Sequence, residues 1–148
     1  MLKEIVSRNL VTAEPDAKIA EVARLMADRG VGAVLILSDD GKPRGIITDR
    51  DIVLRCVADH LDVEDTTVEN VLSESVHTVL DTDGLYDVIH KMREARVRRI
   101  PVVDKEGKAL GLISFGDIVS ILAKELGELS EAATSALREV GREEGIAA

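Results

Sequence analysis

The sequence predicts a mixed α/β fold that contains two copies of one β-α-β-β-α unit. Residues 8–57 align without a gap on residues 74–123, and 11 of the 50 aligned positions are identical, against about three expected from ordinary composition. The apolar residues of the two segments also occupy the same positions, so both segments encode one pattern of secondary structure. A chain of 148 residues, 45% of them hydrophobic, can bury a core without disulfides or bound metals.

Each unit opens with a short apolar strand, predicted at residues 10–12 and 76–79, and continues into an amphipathic helix. Apolar residues at positions i, i+3, i+4 and i+7 predict a helix that buries one face. They are Ile19, Val22, Ala23 and Met26 in the first unit and Leu85, Val88, Ile89 and Met92 in the second. Gly30 is predicted to end the first helix, because glycine tolerates the left-handed backbone conformation.

The second half of each unit is predicted to be a β-hairpin followed by a helix. Continuous apolar runs at residues 34–37 and 100–103 predict buried strands, and Gly41 and Gly107 supply the turns after them. The predicted return strands are residues 45–47 and 111–113, and the predicted second helices begin near Asp49 and Phe115.

The repeat sets the predicted domains, which are a first repeat at residues 1–66, a second repeat at 67–127 and a C-terminal extension at 128–148. The first repeat includes a short helix over residues 2–6, and an acidic connection over residues 58–68 joins the two repeats. Thr67 is predicted to cap a short helix at residues 68–72. The extension is predicted to form a helix over residues 130–140, which docks on a partner, extends a dimer or frays, and to end in a disordered tail.

Composition excludes several classes of function. The chain has 19 lysines and arginines against 28 aspartates and glutamates, and its formal charge of −9 argues against nucleic acids and anionic membrane surfaces as partners. Tyr86 and Phe115 are the only aromatic residues, so bases cannot be stacked on a row of rings. Since no stretch has the roughly 20 apolar residues of a membrane span and the N-terminus resembles no signal peptide, a cytoplasmic protein is predicted.

The sequence predicts neither a metal site nor an enzyme. The histidines at positions 60, 77 and 90 lack ligand spacing, and no phosphate-binding loop or nucleophile paired with a base is present. The single cysteine, Cys56, excludes an internal disulfide and is expected to be a small buried residue in a reducing compartment. A catalytic thiol is the weaker alternative, because His60 is the only histidine near it in sequence.

Matched acidic residues start the second helix of each unit. Asp51 and Asp117 can each accept two hydrogen bonds, which suits the two hydroxyls of a ribose. The alternative is that each carboxylate only stabilises the positive end of its helix. Thr48 and Ser114 are the predicted N-caps of these helices, and their hydroxyls or the N–H groups that follow can also contact a phosphate.

Four arginines lie within seven residues of the second unit, at positions 93, 96, 98 and 99. The favourable interaction of cations with a helix C-terminus explains Arg93 and Arg96. It does not explain Arg98 and Arg99, which start a buried strand and are predicted to point to opposite sides of it. The first unit has no basic residue at the equivalent positions.

These motifs resemble a tandem pair of cystathionine-β-synthase (CBS) domains, also called a Bateman module, of the stand-alone prokaryotic type. The residues that carry the resemblance are GIITDRDI at 45–52, GLISFGDI at 111–118 and RRIPVVD at 98–104. The resemblance covers residues 2–125, and it implies that the units pack by pseudo-twofold symmetry, sheet against sheet, with two clefts between them. It also implies a homodimer formed through helices.

In the resembled family each cleft takes a strand from the partner unit. The Asp117 cleft then uses Val11, Val31, Arg98 and Ser114, whereas the Asp51 cleft uses Thr48, His77 and Val97. Arg99, Ile100 and Pro101 belong to the strand motif that is expected to face the clefts. A phosphorylated ligand is expected in the Asp117 cleft.

The resemblance therefore predicts a regulatory module that binds AMP, ADP or ATP, with S-adenosylmethionine or NAD as further possibilities, and that signals to an unknown effector protein. The module is expected to require no cofactor. The alternative is a dimerisation scaffold that binds no nucleotide. Any adenine is expected to be held by aliphatic and backbone groups, since rings are nearly absent.

Overall fold

The computed structural model describes residues 2, 6, 10–72 and 75–143, with side chains described as far as residue 139. The predicted β-α-β-β-α repeat is confirmed in both copies. The first copy consists of β1 (Thr12–Ala13), α1 (Ile19–Arg29), β2 (Ala33–Leu37), β3 (Pro43–Thr48) and α2 (Asp49–Ile52), which continues into a wider π-helical turn at Val53–Val57. The second consists of β4 (Val79–Leu80), α3 (Leu85–Ala95), β5 (Arg99–Val103), β6 (Ala109–Ser114) and α4 (Phe115–Glu143).

Each repeat forms a three-stranded sheet, with strand orders β1-β2-β3 and β4-β5-β6. The helix between the first two strands makes a crossover, so β1 runs parallel to β2, with Thr12 opposite Leu35. A tight turn joins β2 to β3, which are antiparallel. Gly41 takes φ of 78° in that turn and Gly107 takes 83° in the equivalent one, as predicted for both.

The core of the first repeat lies between α1 and the sheet. Ile19, Val22 and Met26 on one face of α1 are buried together with strand residues from β2 and β3. Two further members of this core, Val68 and Val71, come from the segment that joins the repeats. Backbone hydrogen bonds hold this segment to the start of α1, so the predicted polar connection also contributes apolar packing.

The β-hairpins of the two repeats meet at their turns. The Ala109 N–H donates a hydrogen bond of 3.0 Å to the Gly41 carbonyl oxygen. The Lys108 side chain lies against Gly41, and the Lys42 side chain lies against Gly107. These reciprocal contacts between equivalent positions agree with the pseudo-twofold arrangement that the resemblance implies.

Two expectations about the ends of elements need correction, and a third lies largely outside the described residues. β1 and β4 begin later than predicted, at Thr12 and Val79, and each extends one residue beyond its predicted end. Thr67 does not cap a helix: its hydroxyl accepts a hydrogen bond from the Asn70 side chain, and the helix that follows is one 3₁₀ turn, Val68–Asn70. The predicted helix at residues 2–6 lies largely outside the described residues, although the Val6 N–H does donate to the Leu2 carbonyl.

The chain divides into two compact units, Met1–Ile113 and Ser114–Ala148. The second unit is dominated by α4, which runs without a break from Phe115 to Glu143. One helix therefore replaces the two that the sequence predicts, because Gly127 lies inside α4 and does not end it. The predicted domain boundaries stay predictions, and residues 144–148 of the expected disordered tail lie outside the described residues.

Helix α1 ends at Gly30, as predicted, with φ of 63° and ψ of 36°. Arg96 holds the same place after α3, with φ of 54° and ψ of 38°. A left-handed conformation is easy for glycine and costly for a residue with a Cβ atom.

Gly30→Ala and Gly127→Ala are expected to change stability in opposite directions. Neither glycine has an atom within 4 Å of the position that a Cβ would take, so only backbone conformation differs. Gly30→Ala should lower the free energy of unfolding by about 1 kcal/mol, since alanine disfavours positive φ. Gly127→Ala should raise it by about 0.5–1 kcal/mol, because alanine favours a helix interior.

Urea denaturation followed by circular dichroism measures both variants. The same sign of change in both would contradict this account of Gly30.

Candidate ligand-binding site

A cavity of about 600 Å³ lies within the first compact unit, between the two repeats. The first repeat contributes the end of β3 and the start of α2, and the second contributes residues 75–77 and 96–99. The volume is within the range of roughly 300–1,000 Å³ that is usual for small-molecule sites.

The start of α2 is held by a reciprocal pair of hydrogen bonds. The Thr48 N–H donates to Oδ2 of Asp51 over 3.0 Å, and the Asp51 N–H donates to Oγ1 of Thr48 over 3.1 Å. This capping box confirms Thr48 as the N-cap and fixes the position of the Asp51 carboxylate at the cavity wall.

The second oxygen of Asp51 is not used by the helix. Oδ1 lies 3.6 Å from Nη2 of Arg55, whose Nη1 donates a hydrogen bond of 2.7 Å to the Val71 carbonyl. The Asp51 side chain lines the cavity and is 24% exposed, and Oδ1 has acceptor capacity that the helix cap does not use.

The second repeat has the same capping box at the start of α4. The Ser114 N–H and hydroxyl both donate to Oδ2 of Asp117, over 2.7 and 2.6 Å. The Asp117 N–H donates to Oγ of Ser114 over 3.2 Å. Both aspartates therefore stabilise the start of a helix. Their contact with a ligand stays a prediction, and it would be a second role of the same side chains.

Five arginines line the cavity, against two aspartates among its described residues; they are Arg50, Arg55, Arg96, Arg98 and Arg99. The resemblance assigns Arg98 to the Asp117 cleft, but the structure places it at the Asp51 cavity. The pairing of Val79 with Val102 explains this position. Residues that precede β4 and β5 run side by side toward one edge of the sheet, where they meet α2.

The remaining predicted residues divide into two groups. His77 and Val97 line the cavity with Thr48 and Asp51, as the resemblance implies. Four others are absent from the described lining: Ile100 and Pro101 are buried in β5, and Val11 and Val31 pack on the core of the first repeat.

Arg55 and Ser75 are cavity residues that the sequence pattern did not identify. The spacing of four residues between Asp51 and Arg55 on one helix was an available signal for the first. No motif marks Ser75.

Cys56 is fully buried in the core of the first repeat. Burial raises the pKa of its thiol, and the nearby Asp59 carboxylate acts in the same direction. The thiol thus stays protonated to higher pH, which favours the structural role predicted for it over a catalytic one.

Within residues 10–72 and 75–143, no group of three acidic, histidine or cysteine side chains is arranged to hold a metal ion. Among the helices that the structure describes, none has the length and apolar character needed to cross a bilayer.

The family model of the CBS domain matches the chain twice, at residues 2–57 and 68–124. The chain belongs to the CBS domain family. Each match covers one β-α-β-β-α repeat, and the second match ends within α4. The C-terminal part of this CBS pair, residues 125–143 of α4, therefore lies beyond the family match.

Solved structures of CBS pairs resemble this fold closely. A CBS domain protein of Pyrobaculum aerophilum, PAE2072, complexed with AMP, is 33% identical. It has a TM-score of 0.71, and the match covers 82% of this chain and 97% of that one. The CBS pair of MJ0100, in complex with 5′-methylthioadenosine and S-adenosyl-L-methionine, is 26% identical with a TM-score of 0.74, over 84% and 97% of the two chains.

Among curated proteins, the uncharacterized protein YlbB of Bacillus subtilis is 31% identical over 147 residues, which cover 98% of this chain and 97% of YlbB. Other relatives are longer. The chain spans 60% of the uncharacterized protein MK0525 of Methanopyrus kandleri and 23% of a homoserine O-acetyltransferase of Methanosalsum zhilinae, at 30% and 31% identity.

Native Cys56 is expected to resist alkylation. Iodoacetamide at pH 8 should label it on the order of 100-fold more slowly in the folded protein than in urea, since both burial and the raised pKa suppress the thiolate. Mass spectrometry of timed samples measures the two rates. Equal rates in the folded and unfolded states would show that the thiol is accessible and would favour the alternative of a catalytic thiol.

Proposed function

We propose that this CBS pair is a regulatory module, not an enzyme, and that it binds an adenosine-containing ligand in the cavity at Asp51. The observation that carries the proposal is the combination, in one cavity, of a carboxylate oxygen left unused by its helix cap and a set of arginines. The adenosine ligands of the PAE2072 and MJ0100 structures support the same class of ligand.

Asp51 is proposed to recognise the ribose. Oδ2 is already engaged by the Thr48 N–H, so Oδ1 accepts the ribose hydroxyls. The 3.6 Å separation between Oδ1 and Nη2 of Arg55 is too long for a hydrogen bond, so the lone pairs of Oδ1 are available to a hydroxyl. The adenine lies against aliphatic and backbone groups, for which Ile46, Val76 and Val97 are available in the lining.

A ligand in this cavity contacts both repeats, because Asp51 belongs to the first and His77 and Arg98 belong to the second. Binding therefore favours one relative arrangement of the side chains that the two repeats contribute to the cavity. The effector is proposed to respond to this change in the population of conformations. The effector that receives it is a separate protein or a further domain, and the site of action is proposed to be the cytoplasm.

The homoserine O-acetyltransferase relative does not favour an enzyme, since this chain spans only 23% of it. A dimerisation scaffold is a second candidate, and a feature of α4 favours self-association. Apolar residues alternate at spacings of four and three along this helix, at Phe115, Val119, Leu122, Leu126, Leu129, Ala133 and Ala136.

The five large residues of this α4 stripe are between 42% and 67% exposed. An apolar repeat of 3.5 residues is the pattern by which two helices pack in a coiled coil. Most helices are stable in water only when their apolar face is covered. We propose that the α4 stripe pairs with that of a second copy, and this pairing is compatible with ligand binding.

Asp51→Asn is expected to weaken the binding of AMP at least about tenfold, because an amide keeps one acceptor for the Thr48 N–H but loses the charge that strengthens bonds to the ribose. Isothermal titration calorimetry measures the affinity. Asp87→Asn, which removes the same charge from the carboxylate that accepts the Gly84 N–H at the start of α3 and does not line the cavity, is the matched control and should leave AMP binding unchanged. AMP binding of wild-type strength in Asp51→Asn would disprove the assigned role of Asp51.

Leu126→Asp with Leu129→Asp is expected to convert a dimer into a monomer, because two charges per helix would be buried in the α4 pairing. Light scattering coupled to size exclusion gives the mass. Thr134→Asp with Ser135→Asp adds the same charges to α4 away from the stripe and should leave the dimer intact. A dimer that survives the leucine substitutions would exclude pairing through this part of α4.

A further inference from the structure

The segment that joins the two repeats, described at residues 58–72 and 75–77, contacts both the core of the first repeat and the Asp51 cavity. We propose that Arg55 couples the two, so that a ligand on Asp51 steadies residues 68–72 through the Arg55 guanidinium. This role rests on the proposed function and describes how binding in the cavity is transmitted along the chain. Three features support it: two contacts of the guanidinium, the anchoring of the joining segment and a difference between the repeats.

The Arg55 guanidinium lies between the cavity and the joining segment. Nη1 donates a hydrogen bond of 2.7 Å to the Val71 carbonyl, and Nη2 lies 3.6 Å from Oδ1 of Asp51. A guanidinium is planar and rigid, so its nitrogens cannot move independently of one another. A change in the position of Nη2 beside Asp51 therefore reaches the hydrogen bond to Val71.

The joining segment is anchored in the first repeat and then forms part of the cavity wall. Val68 and Val71 are buried in the core of that repeat, at 0% and 6% exposure. Leu72 packs against Gly45, where a Cβ atom would lie 3.0 Å from Cδ2 of Leu72, and Gly45 itself lines the cavity. Residues 75–77, a few positions further along the chain, line the cavity as well. The hold of Arg55 on Val71 thus acts close to the wall that a ligand contacts.

The first repeat alone has an arginine at this position. In the alignment of the repeats Arg55 corresponds to Ile121, so the residue four positions after Asp117 carries no charge. The turn that contains Arg55, Val53–Val57, is π-helical, whereas the equivalent part of α4 is α-helical. Turns of this kind are rare and occur frequently at functional sites. Since both repeats have the same capping box, the arginine is not needed to start a helix.

A ligand hydroxyl can complete the connection between Asp51 and Arg55. Their separation of 3.6 Å is too long for a hydrogen bond, so Asp51 does not fix the guanidinium in the free protein. A hydroxyl has one donor and two acceptor sites, and it can donate to Oδ1 while it accepts from Nη2. This bridge restrains the guanidinium and with it the hydrogen bond to the Val71 carbonyl. Binding is therefore expected to slow the opening of the turn at residues 68–72.

Amide hydrogen exchange at Val71 and Leu72, followed by NMR at saturating AMP, tests this coupling. Both amides donate to the Val68 carbonyl over 3.0 Å, so their exchange reports the opening of the turn. In the wild-type protein AMP should slow both rates at least about threefold. In Arg55→Met, which keeps an aliphatic stem and loses the guanidinium, AMP should still bind but should no longer slow exchange.

Lys18→Met is the matched control. The Lys18 ammonium donates a hydrogen bond of 2.8 Å to the Asp65 carbonyl, so it also holds the joining segment, but it is absent from the cavity lining that the structure describes. Its loss should speed exchange in the free protein, and AMP should still slow exchange by the same factor as in the wild type. If Arg55→Met does not fold, Arg55→Lys replaces it: the charge is kept without the planar fork, and AMP should slow exchange less than in the wild type.

Three results would show that Arg55 does not transmit binding, while the proposed function stands. AMP binds the wild-type protein without slowing exchange at Val71 and Leu72, or it slows exchange equally in the wild type and in the Arg55 variant, or its effect is lost in Lys18→Met as well. Absence of AMP binding to the wild-type protein in calorimetry would overturn the proposed function and this coupling together.

Discussion

The hydrogen bond from the Thr48 N–H to the Asp51 carboxylate is the interaction on which the proposed site depends. It ends β3, starts α2 and fixes the direction in which the aspartate points. Because the cap already fixes the Asp51 side chain through one oxygen, a ligand that binds the other oxygen does not have to order this side chain. Binding therefore costs less conformational entropy. The same device at Ser114 and Asp117 starts α4, so one local solution serves both repeats.

The two repeats share this framework but differ in charge. Gly30, Gly32 and Ala33 of the first repeat correspond to Arg96, Arg98 and Arg99 of the second. In the first repeat a glycine takes the left-handed conformation after α1, and the residues before β2 are uncharged. In the second repeat Arg96 takes that conformation after α3. A duplicated unit that must only pack has no need of this difference. The difference is useful in a unit that contributes arginines to one cavity, because Arg96, Arg98 and Arg99 line the cavity together with Asp51.

Much of the fold could be predicted from the sequence, because periodicity and glycine positions report local structure. The buried face of α1, the end of that helix at Gly30 and the capping role of Thr48 all follow from such local rules. The cavity that contains Arg98 could not be predicted in the same way, since it depends on how a strand of one repeat meets a helix of the other. The unbroken α4 was missed because the repeat ends at residue 123, and the pattern it supplies gives no sign that the helix continues into the extension.

A crystal structure grown with ADP tests the central claim most directly, because it shows the ligand and its partners together. The account predicts that the nucleotide occupies the Asp51 cavity, with ribose hydroxyls within hydrogen-bond distance of Oδ1 of Asp51 and phosphates beside the arginines of the lining. The capping box between Thr48 and Asp51 should be unchanged. A nucleotide bound elsewhere, or one whose ribose has no contact with Asp51, would contradict the account.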